Sequence, residues 1–424
     1  MEIRMEINDK KVLIISHNPL SCVNNNGKTL VSIFAGVKES NIYQIYLNGD
    51  TPDYSDECHY LQINEKQIIT SILRRKDLCC DEISATPGEV SSAKITSRSY
   101  FNHTKRLLRE CIWKTGVWKK RLAEWLEGKV FDVVFFMAGD GLFAYDVYKL
   151  VMSHVTAKGC LFFTDDYIIG KTSRSPIALL RQLLLKKKMK KALGITDELY
   201  VISEEMRLAY QKLFNKDGTV IRNFSAERLQ LNVDGQSVHS SDVKMVYAGG
   251  LHYNRWKVLA QIARSMREIN SAGKAAYSLK IYSSQKISQE IIDQMTVDGV
   301  SEFMGGVSAS QIAGVYSSAD ILVHVESFDK KAIASTKYSF STKIPEYLSS
   351  GKCVFAVGPA EVASMQYLKD VACIVSDVGR LTDTLTELLD VDYRSVVRSR
   401  CEERYEKDFS ERNQEDCLKR ILSI

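Results

Sequence analysis

Phe340-Ser341-Thr342-Lys343-Ile344-Pro345-Glu346-Tyr347-Leu348-Ser349-Ser350-Gly351-Lys352-Cys353-Val354 joins a polar, cationic turn to a short helix and then to an apolar strand. Ser341, Thr342 and Lys343 bring hydroxyls, backbone N–H groups and a cation to the helix start, where the dipole and the unpaired donors favour an anion. Glu346 follows one turn in. An ionised carboxylate only accepts hydrogen bonds, so it suits a pair of neighbouring hydroxyls such as those of a ribose. Gly351 stops the helix, and Cys353-Val354-Phe355-Ala356-Val357 has the unbroken apolar character of a strand buried on both faces of a parallel sheet.

The same alternation of apolar strand and helix runs through the chain in two halves, which argues for parallel sheets wrapped by helices. In the first half strands are expected at 11–16, 42–47, 130–137, 159–163 and 198–202. In the second they are expected at 244–248, 278–282, 301–304, 321–325, 353–357 and 372–375. The polar, weakly patterned stretch around 226–243 reads as a linker between domains 1–225 and 244–404, and 405–424 as a C-terminal helix or two short ones. The 424 residues, 45% hydrophobic with 6 prolines, suit two or three compact domains rather than a disordered chain.

The ten cysteines show no C-x-x-C pair and no zinc spacing, and are read as free thiols of a reducing cytosol. The N-terminus lacks the apolar core of a signal peptide, and no apolar run approaches a membrane span. Net charge is +5. Its distribution is uneven, because Lys171, Arg174, Arg181, Lys186, Lys187, Lys188, Lys190 and Lys191 fall in a stretch without a single acidic residue, leaving about −3 for the rest of the chain. Within it, 176–193 mixes these lysines with Ile177, Leu179, Leu180, Leu183, Leu184, Leu185 and Met189, the make-up of a helix at an anionic membrane surface. A second helix expected over 103–126 carries Leu107, Leu108, Trp118, Leu122 and Trp125 at helical spacing, and suits either a core face or a membrane.

Three further segments carry candidate chemistry. Lys244-Met245-Val246-Tyr247-Ala248-Gly249-Gly250 is a strand followed by a glycine pair that lets backbone approach a pyrophosphate, with Arg255 placed to reach the same phosphates from the next helix. Ser301-Glu302-Phe303-Met304-Gly305-Gly306 is a strand and turn, followed by Tyr316-Ser317-Ser318-Ala319-Asp320. Near the N-terminus, His17 ends a strand and Asn26-Gly27-Lys28-Thr29 opens a helix. That ending is Walker-like, but Cys22 stands where the loop requires its first glycine, so a triphosphate loop is not expected.

Together these segments resemble the donor domain of family 4 glycosyltransferases of the GT-B fold, most closely over 244–375. The resemblance implies an α/β protein of two Rossmann-like parallel-sheet domains facing across a cleft, with the C-terminal helix returning to the first. It implies that Glu346 holds the nucleotide ribose, that Ser341, Thr342, Gly249 and Gly250 bind the diphosphate, and that backbone groups near Phe303 and Met304 face the base, with Tyr282 either a second base contact or plain packing. Arg255 takes the position of a family lysine, and with Lys343 it would neutralise the leaving diphosphate without a catalytic metal. Glu326 would match the first carboxylate of a paired-Glu motif, although its spacing to Glu346 is much longer than the family's. The resemblance sets Asn26 and Gly27 toward the transferred sugar, and His17, Asp140 and Asp166 on the acceptor side with Asp165 for acceptor contact or charge stabilisation, Thr164 standing where relatives carry a His; a helix-capping role for Asp165 or Asp166 stays equally open.

The implied activity is a retaining transfer from a UDP- or GDP-sugar to a hydroxyl, with a lipid-linked glycan of surface polysaccharide or lipopolysaccharide assembly as acceptor. The enzyme would be cytoplasmic and peripherally bound to an anionic membrane, with no cofactor and no nucleic-acid partner. A nucleotide-sugar epimerase of the same fold and a non-catalytic sugar-nucleotide binding subunit stay open as alternatives.

Overall fold

The computed structural model describes residues 2–22, 25–75, 79–87, 103–170, 175–224, 242–308 and 310–424. It divides into two compact units, 1–223 with 414–424, and 224–413. The linker expected at 226–243 lies outside the described residues except for 242 and 243, which already belong to a strand.

The first unit is built on eight strands: β1 (Val12–Ser16), β2 (Ile42–Tyr46), β3 (His59–Gln62), β4 (Asp81–Ile83), β5 (Val133–Ala138), β6 (Lys158–Phe163), β7 (Glu198–Val201) and β8 (Thr219–Val220). They lie in the order β4-β3-β2-β1-β5-β6-β7-β8, parallel except for the β3–β4 edge. β1 and β5 are buried along their whole length, as their unbroken apolar sequences require of strands covered by helices on both faces. The short strands β3, β4 and β8 escaped the sequence reading because half or more of their residues are polar or exposed. Val130, placed in a strand from sequence, is instead exposed in the turn ahead of β5.

Two helices also depart from expectation. The single helix expected over 103–126 is broken into His103–Lys114 and Trp118–Leu126 at Gly116, whose φ of 71° a helix cannot carry. Trp118, Leu122 and Trp125 are core, whereas Leu107 and Leu108 are exposed. Helix Pro176–Leu193 packs through Leu185, Met189, Ala192 and Leu193, so Leu185 and Met189 are not part of its solvent face.

The second unit holds β9 (Asp242–Ala248), β10 (Ala276–Tyr282), β11 (Ser301–Gly305), β12 (Ile321–Val325), β13 (Cys353–Val357) and β14 (Cys373–Val375). All are parallel, in the order β11-β10-β9-β12-β13-β14. Numbered within the unit, this is the 3-2-1-4-5-6 order of a doubly wound nucleotide-binding sheet, and the order reverses between β9 and β12. The tail forms helices Val391–Phe409 and Glu411–Leu422. Residues 414–424 complete the first unit, where the Gln414 amide donates to the Ser32 carbonyl and the Lys158 ammonium to the Arg420 carbonyl at 2.8 Å.

The loop after β1 is held by buried polar side chains rather than by apolar packing. The Gln44 amide oxygen accepts from the Leu20 N–H at 2.9 Å, and its NH2 donates to Ser16 Oγ at 2.7 Å and to the Asn18 carbonyl at 3.1 Å. Asp53 accepts from the Cys22 N–H and the Ser21 hydroxyl at 2.7 and 2.8 Å. Gln44→Leu therefore leaves the Leu20 N–H unpaired in a buried site and should cost about 1–3 kcal/mol in urea denaturation. A variant as stable as the wild type would show that water replaces Gln44 without loss.

Candidate functional site

The candidate residues of the second unit gather at the C-terminal edge of its sheet, around the reversal between β9 and β12. Tyr347 connects them. Its hydroxyl accepts from the Ala248 N–H at 3.2 Å and lies 3.3 Å from the Ala248 carbonyl, tying the helix that carries Glu346 to the residue before Gly249. The Gly249 N–H is used within the fold, donating to the Tyr282 carbonyl at 3.0 Å. The rest of that turn is pinned by Tyr247 Oη on the Gly250 carbonyl (2.7 Å) and by the Leu251 N–H on Gln285 Oε1 (2.9 Å).

Helix Arg255–Ser271 is entered through two consecutive left-handed residues, Tyr253 at φ 60° and Asn254 at φ 61°. Asn tolerates this region, but for a bulky residue such as Tyr it is an outlier, so the turn holds backbone strain just before Arg255. Arg255 then reaches across the reversal to Glu326 at the end of β12, with Nη2 3.0 and 2.8 Å from the two carboxylate oxygens and Nε 3.3 Å from Oε2. His252 Nε2 lies 3.3 Å from Nη1, and His324 Nε2 lies 3.5 Å from Glu326 Oε1.

The Glu326 side chain is 3% exposed and that of Arg255 15%. Burial by itself would raise the Glu326 pKa, but the Arg255 charge and the His324 imidazole overrule it and hold the group at about 2. Glu326 is thus an ionised carboxylate whose two oxygens are committed to Arg255. The contact fixes the orientation of the guanidinium. Gly358 makes room for it, since a Cβ there would sit 2.7 Å from Glu326 Cβ.

Lys343 and Glu346 also pair, Nζ to Oε2 at 2.8 Å, and the buried Tyr316 hydroxyl donates to the same oxygen at 3.0 Å. Around them the turn is partly self-satisfied: the Ser341 hydroxyl accepts from the Lys343 N–H at 3.3 Å, and the Ser341 N–H donates to Ser364 Oγ at 3.1 Å. These two backbone donors are used inside the protein, so the cation of Lys343 and half-buried Thr342 are what the turn offers an anion.

Beside β10 and β11 lies an open pocket of about 530 Å³ lined by residues 283–287, Ile292, Phe303, Gly305 and Gly306. Phe303 contributes to it and Met304 does not, because successive strand residues point to opposite faces and Met304 is exposed on the other. Tyr282 is half-buried at the end of β10.

In the first unit the sites picked from sequence share one sheet edge, His17 after β1, Asp140 after β5, and Asp165 and Asp166 after β6. His17 and Asn26 are exposed, and Asp165 is half-buried. Gly27 is packed against its own loop, since a Cβ would fall 2.6 Å from the Pro19 carbonyl oxygen. Asp140 pairs with Arg106 at 2.9 Å and with Arg181 at 3.6 Å. Asp166 is buried, accepting from the Ile168, Ile169 and Gly170 N–H groups at 3.0, 2.9 and 2.5 Å and from the Tyr210 hydroxyl at 3.1 Å. With its oxygens so engaged, it organises the 166–170 turn and is not a free acceptor-side carboxylate.

Sequence reasoning missed Arg106, Glu110, Tyr316, His324 and Gly358. Glu110 caps the helix after β5 by accepting from the Leu142 and Phe143 N–H groups at 2.9 and 3.2 Å. Only Tyr316 had a signal, in the Tyr-x-x-Ala-Asp segment. Among the described residues no three His, Cys, Asp or Glu side chains gather as a metal site would require.

The sequence matches no protein-family model and no curated protein sequence. Solved structures with the same architecture include sucrose-phosphate synthase from Thermosynechococcus elongatus (TM-score 0.64, 12% identity, 98% of each chain covered). α,α-Trehalose 6-phosphate synthase from Burkholderia multivorans superposes with TM-score 0.59 at 10% identity over 98% of this chain and 96% of that one. HepE from Anabaena, in complex with UDP, superposes with TM-score 0.58 at 10% identity over 97% and 99%. The chain therefore has the GT-B fold of two Rossmann-like units, and its structural neighbours are glycosyltransferases.

Glu326→Gln should destabilise the protein by about 3–5 kcal/mol at pH 7, because it leaves the Arg255 charge buried without its partner. The Glu326 pKa falls from an ordinary value near 4.5 to about 2 on folding, so its contribution is complete above pH 4.5 and is lost as pH falls toward 2. Urea midpoints of wild type and variant should stay apart from pH 7 to 5 and converge below 4.5. A gap that does not depend on pH would contradict the ion pair.

Proposed function

We propose that the protein transfers a sugar from a nucleoside diphosphate donor to a hydroxyl of an acceptor, in the manner of family 4 glycosyltransferases. The observation that carries this reading is the convergence of Gly249-Gly250, Arg255, Lys343 and Glu346 at the strand reversal of a nucleotide-type sheet, where ligands of such sheets bind. Glu346, held by Lys343 and Tyr316, accepts from the ribose hydroxyls. Arg255, aimed by Glu326, and Lys343 face the diphosphate and stabilise the negative charge that grows as the glycosidic bond breaks. In this mechanism two fixed cations fill the place a metal ion would take. The pocket beside Phe303 receives the base, a UDP or GDP headgroup.

Transfer proceeds with retention of the anomeric configuration. His17, Asp140 and Asp165, which share one sheet edge of the first unit, are the groups assigned to the acceptor hydroxyl. A lipid-linked glycan is the acceptor that fits the lysine-rich helix Pro176–Leu193 of that unit.

Titration calorimetry with UDP and GDP tests the donor site. Glu346→Ala should weaken the better nucleotide about 10- to 100-fold, the value of one or two charge-assisted hydrogen bonds. Unchanged affinity in a cooperatively folded variant would remove the ribose assignment. Arg255→Lys should lower kcat more than it raises KM, since its charge matters most when the diphosphate leaves. A change in KM alone would make it a binding group, and a product of inverted configuration by NMR would exclude the retaining course.

A further inference from the structure

Helix Pro176–Leu193 has one buried side and one solvent side, and the solvent side changes character along its length. In the first two turns it carries Ile177, Leu179, Leu180, Leu183 and Leu184, between 39% and 67% exposed. In the last two it carries exposed Lys186, Lys187, Lys190 and Lys191. At 100° per residue both groups fall on the same half of the helix, opposite the buried Leu185, Met189, Ala192 and Leu193. Apolar and basic side chains are thus segregated end to end, whereas a helix lying flat in a membrane interface segregates them side to side.

We infer that this helix docks on an anionic bilayer obliquely, with its N-terminal aliphatic half entering the acyl boundary and its lysines resting at the phosphate level. The inference rests on the membrane-bound acceptor proposed above. Five aliphatic side chains contribute the apolar area, and the four lysines complement an anionic lipid surface. The stretch 167–196 has no carboxylate to oppose that attraction. Pro176 at the first helical position also removes one of the unpaired N–H donors that an entering helix end would have to desolvate. Leu180 and Lys187 are separated by about 10 Å along the axis, so an oblique helix places them at clearly different depths.

The test uses the full chain on phosphatidylglycerol/phosphatidylethanolamine vesicles containing lipids brominated either near the glycerol end or near the chain terminus. Tryptophan is introduced as Leu180→Trp or Lys187→Trp, and quenching is read relative to the wild-type background. The expected result is strong quenching of the Leu180→Trp fluorescence by deep bromines and of the Lys187→Trp fluorescence by shallow ones only. Replacing the four lysines with Gln should lower vesicle partitioning at least about a hundredfold at low salt. Leu180→Ser with Leu183→Ser should lower the part of the binding that survives high salt.

Equal depth profiles for the two tryptophan variants would overturn the oblique geometry, and failure of the wild type to sediment with vesicles at low salt would overturn docking itself. A dimer that the double Ser variant converts to monomer without changing vesicle binding would assign the face to a second copy of the chain. UDP and GDP affinities, measured alongside, report folding of each variant. They also separate the two proposals: a chain that docks obliquely and binds neither nucleotide defeats the transferase reading alone.

Discussion

Arg255 and Glu326 are both withdrawn from water, and neither charge would be tolerable there without the other. Their contact spans the two strands between which the second sheet reverses, so the pair closes the crevice at its base and fixes which way the guanidinium edge points. The surrounding sequence is shaped to that contact. Gly358 has no side chain because Glu326 occupies the space, Tyr253 and Asn254 adopt left-handed backbone so that the helix begins where Arg255 can reach, and Gln285 and Tyr247 hold the preceding turn. Strain and buried charge, both costly, are concentrated at one edge of an otherwise regular sheet. That concentration is expected of a site kept in shape for a ligand.

The strands of both sheets were legible because each central strand is a short apolar run bounded by polar turns, and the helix with Lys343 and Glu346 was legible because its turn, carboxylate and stop follow one another in sequence. The partner of Arg255 was not. Glu326 lies 71 residues further on, and nothing in a linear pattern distinguishes a carboxylate that holds an arginine from one that meets a sugar. Asp166 reads in sequence equally as an acceptor-side acid or as a cap, and the three N–H groups it accepts from show the backbone-holding use. The helix at 176–193 was recognised by composition, but which residues it spends on the core depends on packing that its low lateral amphipathicity conceals.

The two units organise their ligand-side edges differently. The second uses charge pairs at the sheet reversal, Arg255 with Glu326 and Lys343 with Glu346. The first has the Asp140 ion pairs with Arg106 and Arg181 and, beside them, side chains that brace backbone: Gln44 and Asp53 hold the loop after β1, Asp166 holds the turn after β6, and Glu110 caps the helix after β5. Such buried, hydrogen-bonded braces give directional rigidity.

Residues 414–424 belong to the first unit, while the 190 residues before them form the second. Leu418, Ile421 and Leu422 are buried there, so the first unit lacks part of its core until this segment has been translated. On the ribosome the N-terminal sheet must therefore wait, incomplete, through the synthesis of an entire second unit, although domains ordinarily fold in the order they emerge. A chain cut short by even this one helix loses stability in the half of the molecule farthest from the cut in sequence. Interrupted synthesis thus yields a product with a defective first unit for degradation to recognise, rather than a sound first unit with the second one missing.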